Sequence, residues 1–320
     1  MMTPKENFTH FLKREPYEWT PSTEDLVQFR PEEICENVAR GMVVQQNPCS
    51  KEYGGKDLFG LDWVFEKLVG GSIETGHPLD DIEDWEQSIK LPDLDEIDWE
   101  GCAKRNAEYL NTDKLIYTTI FTGFFERLIS FVGFENAAMA LVDEDQQEIV
   151  ADLFDKLADL YIDMIGRFKK YFGVGIVELH DDWGTQKSTM FSVDTHNEFL
   201  VPAFRKVVNA AHEMGVFVEL HSCGFIEPLM PGIIASGVDT WRGQDINDKK
   251  KLVDTYGDKF SYGVNYRPEA PKPDEELKKD IDAMAELYKG QHVWFTFMGK
   301  ALSPEKRAML GSYIRSKGVI

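Results

Sequence analysis

In Glu219-Leu220-His221-Ser222-Cys223-Gly224, a histidine and a cysteine stand two residues apart at the end of an apolar run. Strand side chains alternate faces, so Glu219, His221 and Cys223 would point the same way. An imidazole nitrogen and a thiolate within reach of one ion are a pair suited to zinc, which in a catalytic site normally takes three protein ligands. The same two residues would also serve as a packed histidine and a buried free cysteine. A second run, Glu178-Leu179-His180-Asp181-Asp182-Trp183-Gly184-Thr185-Gln186, gathers four ionisable groups within five residues. His180, Asp181 and Asp182 are candidates for proton transfer, and Glu178 for a further metal ligand. The plainer alternative is a polar loop whose aspartates cap the next turn. A third run, Gly237–Asp245, brings Gln244 or Asp245 as other possible ligands. A fourth delivers Asn265, Tyr266 and Arg267, where Arg267 suits a carboxylate or phosphate, or simply the surface.

All four groups follow short apolar, β-branched or aromatic runs. These runs are Leu115–Phe121, Val174–Leu179, Val216–Leu220, Val238–Trp241, Phe260–Val264 and Val293–Phe297. Helical patterns alternate with them. One spans Glu148–Tyr171, with a capping box expected at Asp145 and Glu148; another, Asn197–Met214, ends at Gly215. A third, Ser303–Ser316, has Ser303 as N-cap and Pro304 at the first helical position. Such alternation predicts parallel strands joined by crossover helices. Eight strands would close a (β/α)8 TIM barrel, and fewer would leave an open sheet; two more strands could lie in the first 110 residues. That region is irregular, with a polar excursion and a short helix expected over His77–Glu100. No Gly-x-Gly-x-x-Gly follows any run, which argues against a dinucleotide fold. Residues 1–320 read as one domain, with 1–110 an N-terminal extension and the first barrel units, and 111–320 the regular β/α units.

The chain carries 35 Lys and Arg against 56 Asp and Glu, a net charge of −21. That balance repels phosphate backbones and anionic headgroups, so neither nucleic acid nor membrane is expected as a partner. The run Lys249-Lys250-Lys251 reads as a solvated face. Cys35, Cys49, Cys102 and Cys223 show no disulfide or zinc-module spacing, and the first residues lack a secretory h-region, so a cytoplasmic location is expected.

The segments DDWGTQ (Asp181–Gln186), SVDTHNEFLVPAFRKVVNAAHEMG (Ser192–Gly215) and HSCGFIEPLMPGIIASGVD (His221–Asp239), with Gln244, resemble the uroporphyrinogen decarboxylase superfamily. The branch they resemble holds methylcobamide:coenzyme M methyltransferases and corrinoid-dependent O-demethylating enzymes. Asp57-Leu58-Phe59-Gly60 with Trp63, His77-Pro78-Leu79 and Gly123–Met139 fit the same pattern, so the likeness runs over residues 50–265. It implies a (β/α)8 barrel and transfer of a methyl group between a small methylated substrate, methoxy compounds included, and a corrinoid supplied by a partner protein. It also implies zinc on His221 and Cys223. The family's third ligand, a later cysteine, has no counterpart: that strand reads Trp294-Phe295-Thr296-Phe297-Met298-Gly299. Glu178, His180, Gln244 or Asp245 would then complete a harder site suited to Lewis-acid chemistry on an oxygen. Asp57, Trp183, Gln186, Gln244, Asn265 and Met298 are the expected substrate contacts, and a homodimer is compatible with this reading. Two alternatives are a decarboxylase-type lyase and a non-catalytic barrel binding a corrinoid or small ligand. The arginine-rich porphyrinogen motif is absent, with only Arg30 and Arg40 in its place.

Overall fold

The computed structural model describes residues 1–43, 54–67 and 71–320; Cys49 lies outside the described residues. In chain order the strands are β1 (Leu26–Gln28), β2 (Gly55–Lys56), β3 (Asp62–Glu66), β4 (Gly71–Glu74), β5 (Leu115–Ile120), β6 (Ile176–His180), β7 (Phe217–His221), β8 (Thr240–Trp241), β9 (Ser261–Tyr266) and β10 (Val293–Phe297). The six apolar runs became β5 to β10, each within a few residues of its expected limits. The class is α/β, as the alternation predicts.

Two compact units are present. One comprises residues 28–111 and 116–238, the other 1–27, 112–115 and 239–320. In the first, β5 pairs with β6 and β6 with β7, all parallel, in a register that sets Glu178 beside Glu219 and His180 beside His221. All six residues of β5 are buried, the mark of a parallel strand covered on both faces. Helices Gln147–Arg167 and Val201–Glu213 run between these strands, and Phe124 packs against Phe154, Tyr161 and Phe204 at centroid distances of 5.3–5.5 Å. In the second unit β8, β9 and β10 are again parallel and in chain order, joined through helices Lys249–Tyr256 and Asp274–Leu287. Helix Pro304–Ser316 begins at the expected cap, where the Ser303 hydroxyl accepts from the Lys306 amide at 3.4 Å.

Three local expectations differ from the structure. Helix Gln147–Arg167 has no capping box: Asp143 takes the Asp145 amide on its side chain, and its carbonyl accepts from Gln146 and Gln147, so the turn ends one residue beyond Asp145. The lysine run is not all solvated, because Lys249 is 6% exposed and its ammonium donates to the Gly263 carbonyl at 3.1 Å. The early region adds an antiparallel sheet, β2-β3-β4, that its irregular pattern did not announce, while the short helix expected within His77–Glu100 is present as short helical turns. No helix among the described residues is long and apolar enough to cross a membrane.

Candidate active site

The carboxyl ends of β6 and β7 are stitched together by the loops that follow them. Asp181 N donates to the His221 carbonyl (3.0 Å), Trp183 N to the Ser222 hydroxyl (3.0 Å), and Phe225 N to the Thr185 carbonyl (2.8 Å). Glycines make this approach possible. Gly224 has φ +77°, and a Cβ there would lie 2.6 Å from the Gly184 Cα and overlap its carbonyl; a Cβ on Gly184 would lie 2.6 Å from the Phe225 nitrogen. Gly184 and Gly224 are therefore what let the two loops touch.

Held on these loops, His180, Asp182 and His221 converge. Each offers one ligand atom, and all of these atoms lie within 4.8 Å of one another. The two imidazole rings are 4.6 Å apart, His180 Nε2 is 3.2 Å from Asp182 Oδ1, and the Cys223 sulfur is 3.5 Å from His221 Nε2. Asp182 Oδ1 also accepts the Cys223 amide at 2.6 Å, which fixes the thiol relative to the carboxylate. Burial would raise the Asp182 pKa, but the hydrogen bond and charge of His180, with His221 and the Cys223 amide, hold it far below the usual carboxylate range. Burial likewise opposes a charge on His180, yet Glu126 and Asp182 outweigh it and raise that group to about 9.

Glu126 is the group that sequence reasoning missed. It lies in the first turn of helix Phe124–Val132, which follows β5, with Oε2 3.9 Å from His180 Nε2 and Oε1 3.5 Å from the Arg40 guanidinium. Burial pushes its carboxyl up to about 7, against the pull of His180 and Arg40. A glutamate just beyond a strand's carboxyl end was the available signal, and the aromatic run around it (Phe124-Phe125-Glu126) hid it as helix core.

The other expected site residues are placed as follows. Asp181 is fully buried, and its carboxylate accepts the Phe125 amide at 3.0 Å and the Glu126 amide at 2.8 Å. It thus caps a helix whose N-cap, Gly123, has no side chain to do so. Burial raises its pKa to about 6 in spite of these bonds. Asp181 aims Glu126 rather than joining the cluster. Glu178 is buried and accepts the Tyr117 hydroxyl; the metal-capable group contains His180 and Asp182 instead. Asp57 is buried, accepting from Phe59 N, Leu61 N and Trp63 Nε1 and pairing with Arg127 at 2.6 Å. Trp183 is 1% exposed against Phe204 and His196, whereas Gln186 is exposed. Gln244, Asp245, Asn265 and Met298 belong to the other unit. There Asn265 donates to Asp245 (2.9 Å) and to the Gly243 carbonyl (3.0 Å), the Gln244 carbonyl takes the Asn247 side chain (3.1 Å), and Met298 is 36% exposed. Arg30 is engaged by the Thr119 hydroxyl and the face of Phe121, and Arg40 by Glu126 and the face of Trp63.

No family model matches the chain, and no curated protein matches it. Among solved structures it is similar to a methyltransferase from Methanosarcina mazei, with a TM-score of 0.67 and 17% identity over 99% of each chain. It also matches a sugar phosphate isomerase/epimerase from Parabacteroides distasonis (TM-score 0.34, 9% identity, 71% of this chain and 80% of that one). A third match is a 3-keto-D-glucoside 4-epimerase from E. coli (TM-score 0.33, 10% identity, 68% and 94%). The last two likenesses are too loose to carry any argument. The first establishes that this chain shares, end to end, the fold of a solved methyltransferase.

Proposed function

We propose that the protein is a cytoplasmic methyltransferase built on a (β/α)8-type barrel. It moves a methyl group between a small methylated substrate, such as a methoxy compound, and a corrinoid held on a partner protein. The observation that carries this reading is the convergence of His180, Asp182 and His221, with the Cys223 thiol beside them, at the carboxyl ends of two paired parallel strands, where α/β folds place their chemistry. The end-to-end fold likeness to a methyltransferase supports it.

The donor set fits zinc: two imidazoles, a carboxylate and a thiol are its ordinary ligands. The same charges that keep a proton on His180 would favour a divalent cation in its place. His180, Asp182 and His221 would hold the ion, with Cys223 as the fourth donor. When bound, zinc would supply Lewis acidity to the oxygen that leaves as the methyl departs. The chain's own groups do the rest. Glu126, with a pKa near neutrality, can give a proton to that oxygen or take one from it. Asp181 and the first turn of helix Phe124–Val132 fix where that carboxyl stands. Asp182 orients His180 on one side and the Cys223 amide on the other.

The test is methyl transfer by zinc-supplemented protein, given a reduced corrinoid protein and a panel of methoxylated and methylated donors. Methylation of the corrinoid, read by absorbance and lost in His221→Ala, is expected. Failure of every donor, or release of carbon dioxide from uroporphyrinogen instead, overturns the reading.

A further inference from the structure

A cleft of about 930 Å³ opens in the unit that holds β8, β9 and β10, lined by Arg267, Lys300, Arg307, Asp245 and Glu269 around Gly299. We propose that this cleft is a binding site for the dianionic phosphate group of a small molecule. The proposal stands on its own residues and does not depend on the methyl-transfer reading.

The sequence builds the cleft from adjacent strand ends. In the β9–β10 register Tyr266 faces Phe297, and Met298 N donates to the Tyr266 carbonyl at 3.0 Å. Arg267 and Gly299 therefore leave the sheet side by side. Gly299 serves both arginines. Its φ of +92° and missing side chain leave room for the Arg267 stem, whose Cγ would stand 3.0 Å from a Cβ there. Its carbonyl accepts from Arg307 Nη2 at 3.0 Å, reaching across from helix Pro304–Ser316 and leaving the buried Arg307 Nε with no hydrogen-bond partner among the described residues.

The charge count selects the ligand. Neither Arg267 nor Lys300 has an ion-pair or hydrogen-bond partner among the described residues. Asp245 is engaged by Lys249 at 3.4 Å and by Asn265 at 2.9 Å. Arg307 shares its charge with Glu24, and Glu269 lies within electrostatic reach of Lys272, so Arg267 and Lys300 supply two positive charges without a partner among the described residues, in a chain whose net charge is −21. Arginine forks and a lysine match the oxygens of a phosphate dianion. A carboxylate would satisfy only half of that charge. Glu269 and Asp245 then remain to accept hydroxyls on the rest of the ligand.

The experiment is isothermal titration of the full chain with inorganic phosphate, glycerol phosphate and acetate, with ionic strength held constant by sodium chloride. Saturable binding of both phosphates is expected, with acetate roughly 10-fold weaker or worse. Arg267→Gln and Lys300→Gln, at exposed positions without partners, should each weaken phosphate about 10-fold or more at unchanged thermal stability. Lys187→Gln, an exposed charge in the other unit, should leave the affinity as it is. Tighter binding of glycerol phosphate than of phosphate assigns the site to an organic phosphate, and equal binding assigns it to the free anion. Heat no greater than that of sodium chloride, or phosphate affinity unchanged in both variants, overturns the proposal.

Discussion

Replacing Gly224 by alanine should damage the site out of proportion to the size of a methyl group. Two costs combine. A Cβ at φ +77° carries about 1–2 kcal/mol of left-handed strain. It would also sit 2.6 Å from the Gly184 Cα and nearer still to the Gly184 carbonyl, where ordinary contact begins at 3.4 Å, so the two loops must part by more than about 1 Å. The obstacle is backbone and cannot rotate away. Parting the loops stretches the Phe225 N to Thr185 carbonyl bond, worth about 1 kcal/mol, and the Cys223 N to Asp182 carboxylate bond, worth about 1.5–3 kcal/mol. A total loss of about 3.5–6 kcal/mol follows, measured by urea unfolding. Zinc affinity, measured by competition with a chromophoric chelator, should fall about 10-fold or more as Cys223 and Asp182 move apart. Gly215→Ala is the matched comparison. Its φ is +67°, but no described residue lies within 4 Å of the new Cβ, so it should cost only the left-handed strain of about 1–2 kcal/mol and leave zinc binding unchanged. If Gly224→Ala costs no more than Gly215→Ala, the loops are not pinned in the way described.

Glu126→Gln should lower the pKa of His180, raised to about 9 in the native protein, because the nearby carboxylate favours the protonated ring; histidine NMR titration of metal-free protein reads this. Arg127→Met strands Asp57 and Glu36 without their buried counter-charge and should cost about 3–5 kcal/mol in urea unfolding. His196 is 1% exposed, and burial lowers it from 6.5 to about 4. Its neutral form is thus favoured in the fold, and the unfolded chain binds the extra proton between those two values. Stability should therefore be full above pH 6.5 and fall by up to about 3 kcal/mol as the pH drops to 4. His196→Phe should flatten that slope, and an unchanged slope would contradict it. Zinc uptake at pH 7.5 should release close to two protons, one from His180 and one from the Cys223 thiol as it joins as fourth donor, seen as a dependence of binding heat on buffer ionisation.

The strands were legible because parallel strands buried on both faces read as unbroken apolar runs, as in Leu115–Ile120 and Val293–Phe297. β3 escaped notice because Asp62–Glu66 is only partly buried and pairs with short, exposed neighbours. At the site, His180, Asp182, His221 and Cys223 were visible because each histidine ends a strand, with Asp182 or Cys223 two residues on and a glycine close behind. What sequence spacing could not show was the division of labour. Asp181 and Asp182 are neighbours in the chain, yet one faces helix amides and the other a histidine, a choice set by the closeness of Gly123 to the Asp181 side chain. Asp57 looked available until its partner Arg127, 70 residues away, came into place. Glu126 belongs to the site only because Asp181 caps its helix.

The central claim is that His180, Asp182 and His221 form one metal site, and metal analysis after anaerobic purification and dialysis against buffered zinc tests it most directly. The wild-type chain should retain about one equivalent of zinc, and His180→Ala, Asp182→Ala and His221→Ala should each lose it while remaining folded by circular dichroism. A wild-type chain that retains no zinc, or zinc content that is the same in all three variants, would contradict the account.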